Sequence, residues 1–438
     1  VRRWWLALLV VLVLAGGGAG AVWLTTSNNS PVSPVSSPAA TPVPTRTPLL
    51  PAATSSSVTP TGLRIALARA LADPALGGRA SIAVVRGDGS TVVDQGGRRL
   101  VTPASTAKIA TAVAALTVLP PGLRLRTQVV RGSRPGDVVL VGGGDPTLGG
   151  RFATAGYPGT ASLTDLARGL SGITRVLVDD TRYAGPRLAP GWKPSYVTTG
   201  NVAPVSALEV DEGRSAPTGP RSQDPALAAG RQFATLLHVK APVVRGTAAA
   251  GADVLAHVDS APVTELVEAM LTRSDNDLAE ALGRQVALAA HQPASFAGAA
   301  AATRAALQRL GVNGLALRDA SGLSPLDRVA PLAVAQLLAK AAGDPTYAPL
   351  LSGLPVAGFD GTLSKRYRQV PTSAAAGVIR AKTGTLDGVS ALAGLVTTRT
   401  GGVLAFDVTA DRVPRAGTLA AEAALDRVAT ALASCGCA

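Results

Sequence analysis

Histidine, cysteine, lysine and the aromatics are all scarce in this chain of 438 residues, and each scarcity removes a class of chemistry. The three histidines, His238, His257 and His291, have no metal-ligand spacing, so no metal and no cofactor is expected. None of them lies in a stretch that suggests a Ser-His-Asp triad either. Cys435 and Cys437 stand too close in sequence to tie distant parts of a fold together, and they are expected to have no role. With aromatics at 3% and charged residues at 16%, the chain has no stacking platform and no phosphate track, so its net charge of +13 does not read as nucleic-acid binding. Such a charge can still supply a weak attraction to anionic cell-wall polymers or lipid headgroups. Lysine is the most telling shortage: Lys108, Lys193, Lys240, Lys340, Lys365 and Lys382 stand among 41 basic residues, the rest of them arginine. Surface solubility explains those lysines poorly.

The N-terminal stretch is informative. After Arg2 and Arg3, residues 4–24 carry no charge, and at about 1.5 Å of rise per residue they are long enough to cross a bilayer. Residues 1–24 are expected to be a membrane anchor or, with Ala19-Gly20-Ala21 as a small-x-small site, a signal peptide. In either case the body is exported to the cell envelope. Residues 25–61 are rich in Pro, Ser and Thr and nearly free of large apolar side chains, which predicts a disordered linker.

The length and a hydrophobic content of 47% allow two domains. Ala80–Arg86 and Ser90–Asp94 read as strands around a Gly87-Asp88-Gly89 turn. Gly377–Leu386, Val389–Thr397 and Val403–Thr409 read as a meander, followed by an amphipathic helix over Arg415–Ala433. Early and late segments thus supply two halves of one sheet. The expectation is an α+β fold, a central antiparallel sheet of about five strands flanked by helices, built from residues 62–123 and 257–438. Residues 124–256, with strands at Asp137–Val141 and Arg175–Val178 and a helix near Ser162–Leu170, form an inserted second domain.

Val101–Leu119 reads as a helix, with Thr102 as its cap, Pro103 at the first position, and Ser105 in the first turn. Lys108 follows three residues later on the same face, where a lysine held out of water can serve as a general base. Ser-x-x-Lys alone arises by chance roughly a third of the time in a chain with this lysine usage. Two further motifs change that. Ser274-Asp275-Asn276 interrupts a helical stretch over Val263–Ala289, and Lys382-Thr383-Gly384-Thr385 ends a strand, where glycine permits close approach. All three in this order would be an accident about one time in several hundred.

This set resembles that of the serine penicillin-recognising enzymes, the penicillin-binding proteins and serine β-lactamases. The chain is most similar to the class C low-molecular-mass penicillin-binding proteins, D-alanyl-D-alanine carboxypeptidases and endopeptidases. Gly143-Gly144-Asp145-Pro146-Thr147-Leu148, Ala189-Pro190-Gly191-Trp192, Asp319-Ala320-Ser321-Gly322-Leu323-Ser324 and Gly358-Phe359-Asp360-Gly361-Thr362-Leu363 carry the likeness. The resemblance implies a β-lactamase/transpeptidase-like fold, peptidoglycan stem peptides as substrates and β-lactams as covalent inhibitors. It implies that Ser105 is the nucleophile, Lys108 its base, Ser274 a proton relay, Asn276 a positioning group and Lys382 a source of positive potential. Thr383 and Thr385 would hold the substrate carboxylate beside Gly384, and backbone N–H groups of Ser105 and Thr385 would form the oxyanion hole.

Some members carry an arginine after the Ser-Gly-Leu-Ser turn and a glutamine after Lys-Thr-Gly; here those positions are Pro325 and Asp387, and Tyr196 is a candidate substitute. The span from Ser105 to Ser274 is short for this branch, so the small domain often inserted there is expected to be missing, replaced by a connector at 212–224. A serine β-lactamase and a catalytically idle envelope scaffold are the alternatives.

Overall fold

The computed structural model describes residues 58–152, 158 and 161–437. The predicted anchor at 1–24 and most of the linker at 25–61 lie outside them. Among the described residues, no helix is long and apolar enough to cross a membrane.

Helix α1 (Pro60–Leu71) leads to strands β1 (Ala80–Arg86) and β2 (Thr91–Gln95) and then to helix α2 (Ala107–Val118). The middle of the chain holds β3 (Arg126–Arg131), β4 (Asp137–Val141), α3 (Leu163–Ala167), β5 (Arg175–Asp179), α4 (Ser195–Thr198), α5 (Pro225–Leu236), β6 (Val244–Arg245) and β7 (Val254–Asp259). There follow α6 (Val263–Arg273), α7 (Asn276–Ala289), α8 (Phe296–Arg309), β8 (Leu315–Ala316), β9 (Arg328–Val329), α9 (Pro331–Gly343) and α10 (Ala348–Gly353). Strands β10 (Ile379–Leu386), β11 (Val389–Thr397) and β12 (Val403–Ala410) and helix α11 (Thr418–Ala433) come last.

The principal sheet runs β10-β11-β12-β1-β2, antiparallel throughout. Its early and late halves join where β1 pairs with β12, from Ala80 opposite Ala410 to Arg86 opposite Leu404. Strand residues alternate between two faces, as a pleat requires. Ala83, Val85, Ala393, Leu395 and Ala405 face a core shared with α2 and α6 to α9, while Ile82, Val84, Leu392, Phe406 and Val408 face α1 and α11. Every residue of α2 from Ala107 to Leu116 is buried, so its many alanines let neighbouring elements close around it on all sides. The second sheet, β6-β5-β4-β3-β7, mixes antiparallel pairs around β3 with parallel pairs around β5.

Two expectations need correction. The α2 helix begins at Ala107, not at Pro103: Ala104–Thr106 is a separate 3-10 turn, and Thr102 does not cap the helix. Tertiary contact overrides the local cap, because Thr102 Oγ1 is taken up by Arg328 Nη1 at 3.0 Å. The cysteines are also not idle, since Cys435 and Cys437 are joined to each other just past α11. The Cys437 carbonyl accepts from Thr59 N at 2.7 Å, tying that loop to the start of α1.

Asp407 is an acid in the apolar layer between sheet and helices. It lies on β12 opposite Ala83 and Ala393, is 2% exposed, and accepts from Thr409 Oγ1 at 2.8 Å. Burial pushes its carboxyl up to about 7, with the Thr409 hydrogen bond opposing. Between the ordinary carboxylate value and about 7 the folded chain therefore holds a proton that the unfolded chain has lost, so stability falls as pH rises through that window. Urea denaturation at pH 5 and pH 8 checks this: Asp407→Asn is expected to remove on the order of 2 kcal/mol of the wild-type decline. Equal declines in both proteins would refute it.

Candidate active site

Ser105 lies in the 3-10 turn that feeds α2, directly after Ala104, whose φ of 48° is left-handed and unfavourable for a residue with a Cβ. Two glycines explain how the turn is held. A Cβ on Gly322 would fall 2.0 Å from the Ala104 carbonyl oxygen, and one on Gly384 would fall 2.8 Å from that of Pro103. The 319–324 turn and strand β10 thus press on the serine's turn from separate directions.

Lys108 is fully buried on the first turn of α2. Its Nζ donates to Ser105 Oγ at 3.0 Å, to Asn276 Oδ1 at 2.7 Å and to the Ser321 carbonyl at 2.6 Å, which uses all three ammonium protons. Burial pulls its pKa down to about 8, against the opposing charges of Asp319, Asp275, Glu280 and Asp277. Asn276 opens α7, and its Nδ2 donates to the Asn201 carbonyl at 2.8 Å, so the amide is oriented from both ends. The break before α7 is made by Ser274, left-handed at φ 58°, and by Asp275, whose side chain caps the Leu278 amide at 2.9 Å.

Lys382 lies on β10, the edge strand, fully buried, with Nζ donating to the Thr383 carbonyl at 2.8 Å. Burial and the neighbouring Lys108 hold its pKa well below the usual lysine value. Thr383 Oγ1 donates to Thr362 Oγ1 at 2.9 Å, and Thr385 Oγ1 to Glu422 Oε1 at 3.0 Å. Asp387, just past β10, pairs with Lys193 from the loop that precedes Tyr196. Partial burial raises the Tyr196 hydroxyl, Lys193 opposes, and Asp387 and Asp319 add to the rise. Ser105, Lys108 and Asn276 are therefore in direct hydrogen-bonded contact, with Lys382 beside Lys108; Thr383 and Thr385 lie on the same edge strand, Asp387 just past its end, and Tyr196 in α4 packs in one cluster with Leu386.

Several supporting residues lie outside the expected set of site residues. Asp319 accepts from Trp192 Nε1, Gly322 N and Ser324 N, each at 2.7 Å, which sets the turn that carries Ser321. Glu280 accepts from Ala320 N at 3.0 Å and Ser321 N at 2.9 Å while pairing with Arg284 at 2.8 Å. Arg221, on the connector, reaches the Gly200 carbonyl at 3.1 Å, Glu212 at 2.8 Å and Asp277 at 3.0 Å, clamping the loop that meets Asn276. Glu212, Asp275 and Asp277 lie within 4.8 Å of one another, and this arginine's pairs with two of them make the cluster an ion-pair network. The Asp-Ala-Ser-Gly and Pro-Gly-Trp motifs were visible signals for part of this shell; nothing local marked Arg221, Asn201 or Glu280.

The chain matches the D-Ala-D-Ala carboxypeptidase 3 (S13) family over residues 63–221 and 214–432. It belongs to that family. The two matched segments overlap at 214–221, within the connector. Carboxypeptidase DacB of Mycolicibacterium smegmatis is 41% identical over 402 residues, covering 87% of this chain and 86% of the relative. A carboxypeptidase of Mycobacterium tuberculosis is 40% identical over 395 residues, covering 86% and 84%. Penicillin binding protein 4 of Haemophilus influenzae shares the fold, with a TM-score of 0.68 at 22% identity, covering 84% of this chain and 98% of that one.

The Glu280–Arg284 pair, each side chain 1% exposed, yields a stability prediction. Glu280→Gln leaves a buried guanidinium without its counter-charge and is expected to cost about 3 kcal/mol in urea denaturation. Glu280→Gln with Arg284→Met should cost less than Glu280→Gln alone. A double variant at least as damaged as the single one would show that the charge imbalance is not the cause.

Proposed function

We propose that this S13 peptidase removes, or cleaves after, D-alanine in peptidoglycan stem peptides through an acyl-enzyme on Ser105, the serine that penicillin also acylates. The observation that carries the reading is the buried Lys108 Nζ at 3.0 Å from Ser105 Oγ. Neutral Lys108 takes the hydroxyl proton as Oγ attacks the carbonyl between the terminal D-alanines. Negative charge then develops on the carbonyl oxygen, met by the backbone N–H groups of Ser105 and Thr385; one such donor is typically worth about 3 kcal/mol. Ser274 passes a proton to the departing amine, with Lys382 beside it. Asn276 keeps Lys108 on the serine and holds the substrate amide. The leaving carboxylate is received by Thr383 and Thr385. Water hydrolyses the ester and restores Ser105 Oγ–H, while the acyl product leaves as a carboxylate.

Tyr196 and the Asp387–Lys193 pair face the stem peptide's side chain. The catalytic unit is residues 62–123 with the part of 257–438 that follows β7, and the insert at 124–256 runs on to Asp259, because β7 pairs with β3 of the insert's sheet as far as that residue. Acting on peptidoglycan places the body outside the cytoplasmic membrane, and residues 4–24 export or anchor it.

Labelled penicillin tests the reading. A long-lived adduct is expected on the wild-type chain and none on Ser105→Ala, with D-alanine released from a pentapeptide by the wild type alone. Rapid penicillin turnover would make it a β-lactamase, and no adduct would leave an idle scaffold. The base must be neutral to accept a proton, so the acylation rate should rise with pH and level off above about 8. Asn276→Ala, which removes one of Lys108's three acceptors, should move that inflection and slow acylation about 100-fold. An unmoved inflection and rate would exclude this role for Asn276.

A further inference from the structure

Residues 355–363 run along the outer edge of β10 as far as the start of its Lys-Thr-Gly motif. Ala357 N donates to the Ile379 carbonyl at 2.9 Å, Ala381 N donates to the Pro355 carbonyl at 2.9 Å, and Val356 bridges Arg380. Beyond Ala381 the contact passes to side chains, where Thr383 Oγ1 donates to Thr362 Oγ1 at 2.9 Å. The 3-10 turn that carries Thr362, Gly361–Leu363, is fixed from a second side. Gly361 is left-handed at φ 50°, and a Cβ on it would fall 2.6 Å from the Thr272 carbonyl oxygen near the end of α6. Leu363 is buried in the core, and its carbonyl accepts from Gly358 N at 3.2 Å. Thr362 thus stands between the strand that carries Lys382 and the helix that leads to Ser274.

The backbone of Thr383 is already held: it pairs with Leu392 across the sheet, and its carbonyl accepts from Lys382 Nζ at 2.8 Å. What stays adjustable is the hydroxyl proton. A hydroxyl gives one proton, accepts through two lone pairs and rotates to suit its partners. When Thr383 turns its proton to a carboxylate, Thr362 can turn in reply and donate to Thr383 Oγ1, so the pair keeps its hydrogen bond with the direction reversed. A side chain without a hydroxyl at 362 has no such reply. We propose that Thr362 is a positioning residue for the leaving carboxylate: it holds the Thr383 side chain and, by reversing the bond between the two hydroxyls, frees the Thr383 proton for the substrate. The proposal rests on the D,D-peptidase reading above and deepens it at the subsite where Thr383 and Thr385 receive the carboxylate.

The full chain is assayed for D-alanine release from an acyl-pentapeptide in the wild type, Thr362→Val, Thr362→Ser, Thr383→Val and the double valine variant, with active sites counted by saturating labelled penicillin. Thr362→Val should raise KM about tenfold, the size of one modest hydrogen-bond contribution, and leave kcat within about twofold, because the carboxylate is held alike before and during the reaction. Thr362→Ser keeps the hydroxyl and should stay within about twofold of wild type. Thr383→Val should lower kcat/KM at least as far as Thr362→Val does. Adding Thr362→Val to it should change little, since the hydroxyl through which Thr362 acts is then gone. An unchanged KM in Thr362→Val overturns the proposal, as does a fall in kcat alone. So does a serine variant as impaired as the valine one, or a double variant about tenfold worse than Thr383→Val. A wild-type chain that takes no penicillin label overturns the reading of the site and this proposal with it; a labelled chain with any of those outcomes overturns this proposal alone.

Discussion

One buried ammonium organises this molecule. Lys108 has no water to solvate it, so its three protons must find protein acceptors, and those acceptors come from three separate regions: Ser105 in the 3-10 turn ahead of α2, Asn276 at the start of α7, and the Ser321 carbonyl in the 319–324 turn. Each acceptor needs its own support. Asn276 is oriented by Asn201, Ser321 by the Glu280 carboxylate and the Asp319 cap, and Ser105 by the left-handed residue before it. The strain at Ala104 persists because Gly322 and Gly384 close on that turn with no Cβ to obstruct them.

The same lack of water that constrains Lys108 also suits it to its proposed task. Burial brings its pKa to about 8, while four surrounding carboxyl groups keep the value from falling further. Lys382, fully buried with Lys108 as its charged neighbour, is likewise held well below the usual lysine value. The connector at 212–224 contributes more than length: Arg221 neutralises Asp277 and Glu212 within the fold and ties the 200–203 loop to α7.

A good part of this was legible before any coordinates. The three-residue spacing brings Lys108 onto Ser105, though from α2 onto a 3-10 turn and not along one helix, the Gly-Asp-Gly hairpin and the late meander fall where turn residues and apolar alternation put them, and the helix break at Ser274 coincides with the motif. Local rules failed where a distant contact competed with them. Thr102 has the chemistry of a cap, yet Arg328 claims its hydroxyl; the cysteines are close in sequence, and a tight loop after α11 brings them together.

Composition and short-range pattern by themselves determined the element types, the split of one sheet between early and late segments, and the residues with reactive side chains, because each depends on periodicity, turn chemistry or side-chain identity within a few positions. Only the tertiary structure decided that Asn276 and the Ser321 carbonyl share one ammonium, that Arg221 braces the site, that Asp387 meets Lys193 and that Glu422 stands behind Thr385. Those contacts join residues far apart in the chain, and their existence follows from the register of strands and the docking of helices, which burial of the whole core sets and no local stretch encodes.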